Sequence, residues 1–595
     1  MDRLGALRSA KSVDQLAILL HYRPAGLRYI LYGQNREDKY REFRIPKRSG
    51  GERTIHAPND ELKQLQRNLS VLMQDCMDEL LQARNIKDQI VHGFKRDRSI
   101  LTNAQRHRNQ RWIFNIDLKD FFTTIHFGRI RGFLMKHRDF QLVEPVATVI
   151  AQIACHNGVL PQGSPCSPVF GNLIAQILDV RILKLVRRLG CRYSRYADDL
   201  TFSTNKQTFP RELAVMTPVD EGKPQVWLPG KELRELVESS DFAINEAKTH
   251  MMYKRSRQVV TGIVANQELR PRAEYRKLVR AMVHRYVTTG SFDILSTVEK
   301  DGARVLEKHP GHPDVLHGML GFVDFVRFWS DKLRADSDRT QKEEKEKQRK
   351  AGLRKGLSSE EETYRTFLVY KLFYAAEQPM ILCEGETDII YLKCAIRRLA
   401  EQFPTLAKID LSGKVDQLVR FYRFPKSSTR RLLDFNDGGS GILGNFMRSY
   451  KDTIGKVEFK GPGLEQPIVV LFDDDQGGQS IRRVISNLTK GDKDEQYDFI
   501  KIIENLYAVP TPGRDSYIEK YFDEKTLATE FSGKTFSSSN KFDDTKHYGK
   551  MTFAQKVVAP NASTIEFSGF VPLLTSLSKA IEAHRESEGP DEGAA

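Results

Sequence analysis

Between residues 334 and 362 the chain reads RADSDRTQKEEKEKQRKAGLRKGLSSEEE, densely mixed in charge and almost without large apolar side chains. A stretch of that composition cannot bury a core, so it serves as a linker or a solvent-exposed helix. It therefore forbids one continuous hydrophobic core and divides the chain in two. Length points the same way, because 595 residues exceed what one core supports and call for two or three domains.

The two halves differ in pattern. Before the seam, amphipathic helical segments such as DELKQLQRNLSVLMQDCMDELLQ alternate irregularly with short strands such as RWIFNID, LTFST and QVVTGIV, which predicts an α+β fold. After it, PMILCEGETDIIYLKCAIRRLAEQ reads as an apolar strand, a glycine turn and a helix capped by Thr387 or Asp388. QPIVVLFDD is a second buried-type strand that ends in acids. That order predicts a compact α/β unit with a largely parallel sheet and functional groups at the strand C-termini.

No run of some 18 uncharged apolar residues is present, so no membrane partner is expected. Charges near the start crowd out a signal-peptide core, and six scattered cysteines without a C-x-x-C pair fit a reducing cytoplasm and argue against zinc. The formal net charge of +15 favours a polyanionic partner. Basic stretches interleaved with aromatic residues, among them FKRDRS, RHRNQR, MMYKRSRQ and RPRAEYRKLVRAMVHRY, lie before residue 290 and make that partner a nucleic acid.

Three acids stand out in the first half. RWIFNIDLKDFF delivers Asp117 at the end of a strand, and CRYSRYADDLTFST places Asp198 and Asp199 at a hairpin tip. An Ala-Asp-Asp turn alone is usually only a turn. Together with a strand-borne Asp it supplies what two Mg²⁺ ions about 3.5–4 Å apart need, one ion to activate a 3′-hydroxyl and one to steady a triphosphate.

With LPQGSP (Leu160 to Pro165) and INEAKT (containing Lys248) in the same order, residues 40 to 330 resemble the reverse transcriptases. The resemblance implies a right-hand fold of fingers, palm and thumb with Asp117, Asp198 and Asp199 as catalytic metal ligands. It implies that Gln162 and Gly163 shape the nucleotide and template pocket and that Phe122 guards against a ribose 2′-hydroxyl, favouring dNTPs. Arg53 would contact the incoming triphosphate, a role suited to its planar fork, and Lys248 would assist pyrophosphate departure or stand as a surface lysine. Asn103, Ala104 and His107, followed later by Val260, Thr261 and Gly262, resemble markers of the retron reverse transcriptases. Within that resemblance Asn103, His107, Val260, Thr261 and Gly262 would serve RNA binding.

The second half raises another acidic set. Glu384 and Asp388 in CEGETD, and Asp473 and Asp475 in LFDDDQGG, each follow an apolar strand. Asp473 and Asp475 project alike, with Asp474 opposite, so the i, i+2 pair can share an ion, while Asp474 is expected to be structural or solvent-facing. This ordered pair of motifs resembles the Toprim domain, as found in the overcoming-lysogenization-defect family of nucleases, which implies metal ligands Glu384, Asp473 and Asp475. Glu519 in DSYIEKYF and Lys550 in KHYGKM match a later acid and a late lysine of those nucleases. DFNDGGSGILGNF reads either as a phosphate-approaching loop or as a plain turn.

The domains expected are N-terminal helices with fingers and palm over 1–265, a thumb over 266–333, a charged linker over 334–377, the Toprim effector over 378–585 and a disordered tail over 586–595. The resemblances imply an RNA-directed DNA polymerase that copies a cognate structured non-coding RNA into branched single-stranded DNA from an RNA 2′-hydroxyl. They also imply two Mg²⁺ at the polymerase site, one or two at the Toprim site, host ribonuclease H as a partner, a bacterial cytoplasmic setting and a part in anti-phage defence. The Toprim target stays open between RNA and DNA, and a homo-oligomer is allowed. An RNA-binding scaffold with an inactive Toprim domain, or a maturase- or repair-type enzyme with a primase- or topoisomerase-like Toprim, fits the same residues.

Overall fold

The structure is a computed structural model that describes residues 2–46, 51–85, 88–217, 225–300, 303–337, 356–424, 428–435, 441–492, 495–539 and 542–587. It divides into two compact units, Met1–Arg272 with Val326–Asp338 and Ala273–Phe325 with Arg339–Ala595.

The first unit opens with short helices α1 (Arg3–Ser9), α2 (Val13–Leu19) and α3 (Pro24–Arg28), then a hairpin of β1 (Tyr40–Pro46) and β2 (Glu52–Pro58). Helix α4 (Asp60–Ala83) follows, begun by Asn59, whose side chain accepts from the Leu62 N–H. Its buried Leu62, Leu65, Gln66, Leu69, Met73 and Cys76 recur at three- and four-residue spacing and form one core face. Next come α5 (Ile100–Arg106), β3 (Trp112–Lys119), α6 (Phe127–Lys136), α7 (Glu144–Ala154), α8 (Ser167–Arg188), β4 (Arg192–Tyr196) and β5 (Asp199–Thr204). A small hairpin of β6 (Ala214–Met216) and β7 (Trp227–Pro229), then α9 (Lys231–Glu238) and β8 (Ala243–Tyr253), complete the layer around an antiparallel sheet ordered β4-β5-β3-β8. Phe114, Ile116, Leu200 and Phe202 of its central strands are sealed against the helices. Short strands β9 (Val259–Val260), β10 (Ile263–Val264) and β11 (Arg270–Pro271) form a separate three-stranded ribbon.

The second unit begins with α10 (Ala273–Thr289), a two-stranded ribbon of β12 (Asp293–Lys300) and β13 (Ala303–Pro310), and the first residues of α11 (Pro313–Ser337). Residues 266–333, expected as a thumb of packed helices, hold α10 and most of α11 with the β12–β13 ribbon between them, and the second unit starts at Ala273. The charged linker expected over 334–377 is also shorter than its composition suggests. Residues 338–355 lie outside the described residues, but α12 (Ser359–Val369) runs on into a π-helical turn, Tyr370–Tyr374. Ser358 and Glu361 close a reciprocal capping box at its start, and Tyr364, Phe367, Leu368 and Tyr370 are core residues packed with Tyr286 of α10. The apolar face begins immediately after the charge run, which explains why composition alone misplaces the boundary.

The rest of the unit is built on a five-stranded sheet. Its order is β17 (Arg420–Phe421), β14 (Met380–Leu382), β18 (Ile468–Phe472), β20 (Leu506–Pro510) and β19 (Ile500–Ile503), parallel except at β19. A hairpin of β15 (Ala407–Ile409) and β16 (Val415–Gln417) stands outside it. Alternate residues enter opposite cores. Met380, Leu382, Ile468, Val470 and Phe472 join one with α12, α14 (Gly441–Lys456) and α15 (Gly478–Thr489). Ile381, Val469, Leu471 and Val509 join the other with α13 (Glu386–Arg398) and α16 (Val571–Ser587). Strands buried on both faces need continuous apolar runs, which is why IVVLF carries no alternation. The glycine-rich 436–440 and the tail 588–595 lie outside the described residues, while Glu586 and Ser587 end α16.

Asp474 is not solvent-facing. It is 5% exposed and pairs bidentately with the buried Arg482 of α15, Nε to Oδ1 at 2.6 Å and Nη2 to Oδ2 at 3.0 Å, while its N–H donates to Thr511 Oγ1 at 2.9 Å. Replacing one partner strands a buried charge, so Arg482→Leu is expected to lower the unfolding free energy by about 3–5 kcal/mol, with much of it regained in Arg482→Leu/Asp474→Leu. Urea unfolding of the three proteins checks this.

Candidate functional site

In the first unit, sheet register does the positioning. Asp117 lies opposite Asp199 across β3 and β5, and Tyr196 opposite Asp199 closes the β4–β5 hairpin, with Asp198 in its turn. The Leu118 N–H donates to the Asp198 carbonyl at 2.9 Å, tying the turn to β3. Lys248 of β8 reaches both oxygens of Asp117 at 3.0 Å, and Asn245 donates to Asp117 Oδ1 at 3.3 Å. Burial pushes the Asp199 carboxyl up to about 7, aided by the neighbouring Asp198 and Asp117, and burial with Asp117 raises Asp198 as well.

The remaining pocket residues come from two loops and a strand. Gly163 sits at φ +117, and a Cβ there would stand 2.8 Å from the His56 carbonyl oxygen of β2, so only glycine fits. The His56 N–H donates to the Gln162 carbonyl at 2.8 Å, while the buried Gln162 Oε1 has no protein partner. Arg53, exposed on β2, is near enough to Asp198 to favour its ionised form. Phe122 is half-buried, its ring 5.2 Å from Phe121 and 6.5 Å from Phe94. A residue the motifs do not single out anchors this loop: buried Gln66 of α4 accepts from Ser164 Oγ at 2.8 Å and donates to the Ile153 carbonyl at 2.9 Å. Its polar identity on an apolar helix face is the signal that marks it. A cavity of about 470 Å³ between α4, α8 and residues 88–96 is lined by none of the three acids.

Asn103, His107 and Val260, the candidates for RNA binding, lie inside the first unit. Each is 0% exposed. His107 bonds Ser203 Oγ and Ser194 Oγ, both at 2.7 Å, and burial holds its imidazole neutral, far below the usual histidine range. Asn103 Oδ1 accepts from Ser194 Oγ, Asn103 Nδ2 lies 3.5 Å from Thr261 Oγ1, and Thr261 Oγ1 donates to the Ile100 carbonyl at 3.0 Å. These residues brace α5 and the β9–β10 ribbon to the sheet. Gly262 alone of the five is exposed, at φ +83, with Thr261 half-buried beside it.

In the second unit the carboxylates gather beyond the strand C-termini. Glu384 follows β14, Asp473 follows β18, and the two strands are parallel neighbours. Asp388 accepts from the Gly385 N–H at 2.9 Å at the start of α13, and Asp475 Oδ1 accepts from the Gly478 N–H at 3.0 Å. Glu519 and Lys550, far apart in sequence, join the set: Lys550 Nζ lies 3.0 Å from Glu519 Oε2. Burial pushes Asp473 up to about 8, helped by Asp388, Glu384 and Glu519. Burial with Asp388 and Asp475 pushes Glu384 up to about 7, and burial with Glu519 takes Asp388 to about 6. Glu384 Oε1 and Glu519 Oε1 are buried without a hydrogen-bond partner.

Among the described residues, no three Asp, Glu, His or Cys side chains converge on one point in ion-holding geometry. The donor chemistry of both acid sets nonetheless fits a hard divalent cation: crowded carboxylates, raised pKa values and, in the second set, orphaned buried oxygens. No described helix is long and apolar enough to cross a membrane.

The sheet places an acid on one strand beside an acidic turn on the next, and the family model described as reverse transcriptase (RNA-dependent DNA polymerase) matches residues 45–275. Reverse transcriptases generally use Mg²⁺ at this site. The retron Ec86 reverse transcriptase of Escherichia coli is 32% identical over 46% of this chain and 74% of its own length. The retron Mx65 and Mx162 reverse transcriptases of Myxococcus xanthus are 33% and 32% identical over 48% and 44% of this chain. The chain spans only 61% and 55% of those two relatives. A telomerase structure from Candida albicans aligns with a TM-score of 0.25 and 9% identity over 42% of this chain and 51% of its own. The chain belongs to the retron reverse transcriptases.

The raised carboxyls make stability depend on pH. A folded-state pKa above the unfolded value means that the folded protein holds its protons longer, so stability is full below the ordinary carboxylate range and is lost as pH rises. With EDTA present, the urea midpoint of the second unit's transition is expected to fall between pH 5 and about 8, the span ended by Asp473 near 8. Asp473→Asn should flatten that slope, and a midpoint indifferent to pH in the unsubstituted protein would contradict it.

Proposed function

We propose that this chain is an RNA-directed DNA polymerase that copies a cognate structured non-coding RNA into branched single-stranded DNA, primed from an RNA 2′-hydroxyl, and carries a Toprim nuclease unit that acts with it in anti-phage defence. The observation that supports the polymerase most directly is the register that sets Asp117 against Asp199, beside the Asp198 turn. Family membership supports the retron type.

Asp117, Asp198 and Asp199 hold Mg²⁺, which when bound supplies Lewis acidity for the attacking hydroxyl and neutralises phosphate charge. Arg53 offers the incoming triphosphate a planar, always-charged fork. The orphaned Gln162 Oε1 accepts a donor from the nucleotide or template, and Gly163 lets the loop lie against β2. Phe122 walls off the ribose 2′-hydroxyl and thereby selects dNTPs. Lys248, already bonded to Asp117, offers positive charge or a proton to the leaving pyrophosphate. Host ribonuclease H trims the template.

Support for the nuclease comes from Glu384, Asp388, Asp473, Asp475 and Glu519 meeting Lys550 at the ends of parallel strands. Glu384, Asp473 and Asp475 hold the metal. With a carboxyl near 7, Glu384 can also exchange a proton at neutral pH. Lys550 offers a point charge to a crowded phosphate.

Asp198→Asn/Asp199→Asn is expected to cut DNA yield in cells at least about 100-fold, since a metal clamp contributes several kcal/mol. Unchanged DNA, read after RNase and debranching treatment, would leave an RNA-binding scaffold. Glu384→Ala and Asp473→Ala should abolish toxicity and phage resistance while DNA synthesis continues. Retained resistance would sink the nuclease.

A further inference from the structure

We infer that Arg195 is a positioning residue of the polymerase reaction, its guanidinium holding the backbone of the Ala197–Asp198–Asp199 turn in the conformation that sets both turn carboxylates. The inference rests on the polymerase reading above. Arg195 is 0% exposed, and three sides of its planar fork are committed. Toward Asp179 of α8 it places Nε at 2.9 and 3.2 Å and Nη2 at 2.7 Å. Nη1 donates to Asn172 Oδ1 at 3.0 Å and to the Ala197 carbonyl at 3.1 Å.

The last contact matters because Ala197 stands at φ +56, a left-handed conformation that alanine rarely adopts without support. That single residue turns the chain so that Asp198 and Asp199 leave the hairpin beside Asp117. Its other side is pressed by Gly93, where a Cβ would lie 2.6 Å from the Ala197 nitrogen. Gly93 is itself held, since its carbonyl accepts from Asn172 Nδ2 at 2.9 Å. The backbone of Arg195 is clamped too, its N–H donating to the Ile90 carbonyl at 2.8 Å and its carbonyl accepting from the His92 N–H at 2.9 Å. Tyr193 donates to Asp179 Oδ1 at 2.8 Å, fixing the anion that orients the fork.

Lysine keeps the charge beside Asp179 but loses the fork, because an ammonium cannot serve Asp179, Asn172 and the Ala197 carbonyl in one plane. A role in the turn is therefore read from catalysis, Mg²⁺ dependence and local exchange rather than from stability alone. Arg195→Lys is therefore compared with the unsubstituted full chain on poly(rA)–oligo(dT) with dTTP, under conditions where both are folded. The expected result is a kcat at least about tenfold lower, because small misplacements of reacting groups are costly. The Mg²⁺ concentration for half-maximal rate should rise several-fold, with the KM for dTTP and the affinity for the template–primer nearly unchanged. Hydrogen–deuterium exchange without metal should quicken in the peptide 194–201 and not in the rest of the palm. Unchanged kcat and Mg²⁺ dependence would overturn the inference, as would faster exchange spread over the whole palm with activity following only the folded fraction. If Arg195→Lys does not fold, Asn172→Ala decides, since it removes an anchor of the same Nη1 and leaves the Asp179 pair intact. It should reproduce the same pattern at smaller size, and values equal to the unsubstituted protein would overturn the inference. An unsubstituted protein that makes no DNA on this template and none from its cognate RNA in cells would instead sink the polymerase reading, while the exchange comparison would still judge the brace.

Discussion

Carboxylates brought side by side repel, and withdrawing them from water removes the screening that would otherwise soften the repulsion. Asp117, Asp198 and Asp199 meet that penalty in the first unit, and Glu384, Asp388, Asp473 and Glu519 meet it in the second. Only a frame stiffer than the repulsion can keep such groups together. One unit uses an antiparallel sheet whose hydrogen-bonded register holds two acids opposite each other. The other uses parallel strands buried on both faces, so that their ends cannot splay without opening two cores. Lysines 248 and 550 each neutralise one acid of their set and leave the others charged or protonated.

What the sequence made legible follows from this. An apolar strand that carries or precedes an acid is a local pattern, so β3 with Asp117, and β14 and β18 with the acids after them, could be read directly. Glycine at 163 could be read from its motif, although its reason, the approach of the β2 backbone, belongs to the fold. The internal bonds of two marker motifs were not legible: Asn103 and His107 bond Ser194 and Ser203, and Val260 is buried.

Other features were hidden because their meaning depends on residues distant in the chain. Arg195 appears in the sequence as one more basic residue in a basic protein. Its importance comes from Asp179 and Asn172 on α8 and from the Ala197 carbonyl. Gln66 is a polar interruption of a helix face until Ser164 arrives to bond it. Lys550 and Glu519 are separated by a long irregular stretch, and only the fold places their charges 3.0 Å apart. In each case the partner, not the residue, carries the information.

Helix α12 has one more consequence. Phe367 and Tyr370 share a core with Val279 and Tyr286 of α10 and with Ile468 of β18, so the second unit takes in chain from both sides of the charge run. A gene fusion that appended a ready-made cassette at the low-complexity seam would have left that core without one of its walls. The two units are thus interleaved along the chain rather than strung end to end. A recombinant fragment meant to carry the five-stranded sheet alone has no clean point at which to begin, because a cut within the run discards α10 and a cut before Ala273 keeps the seam inside the fragment.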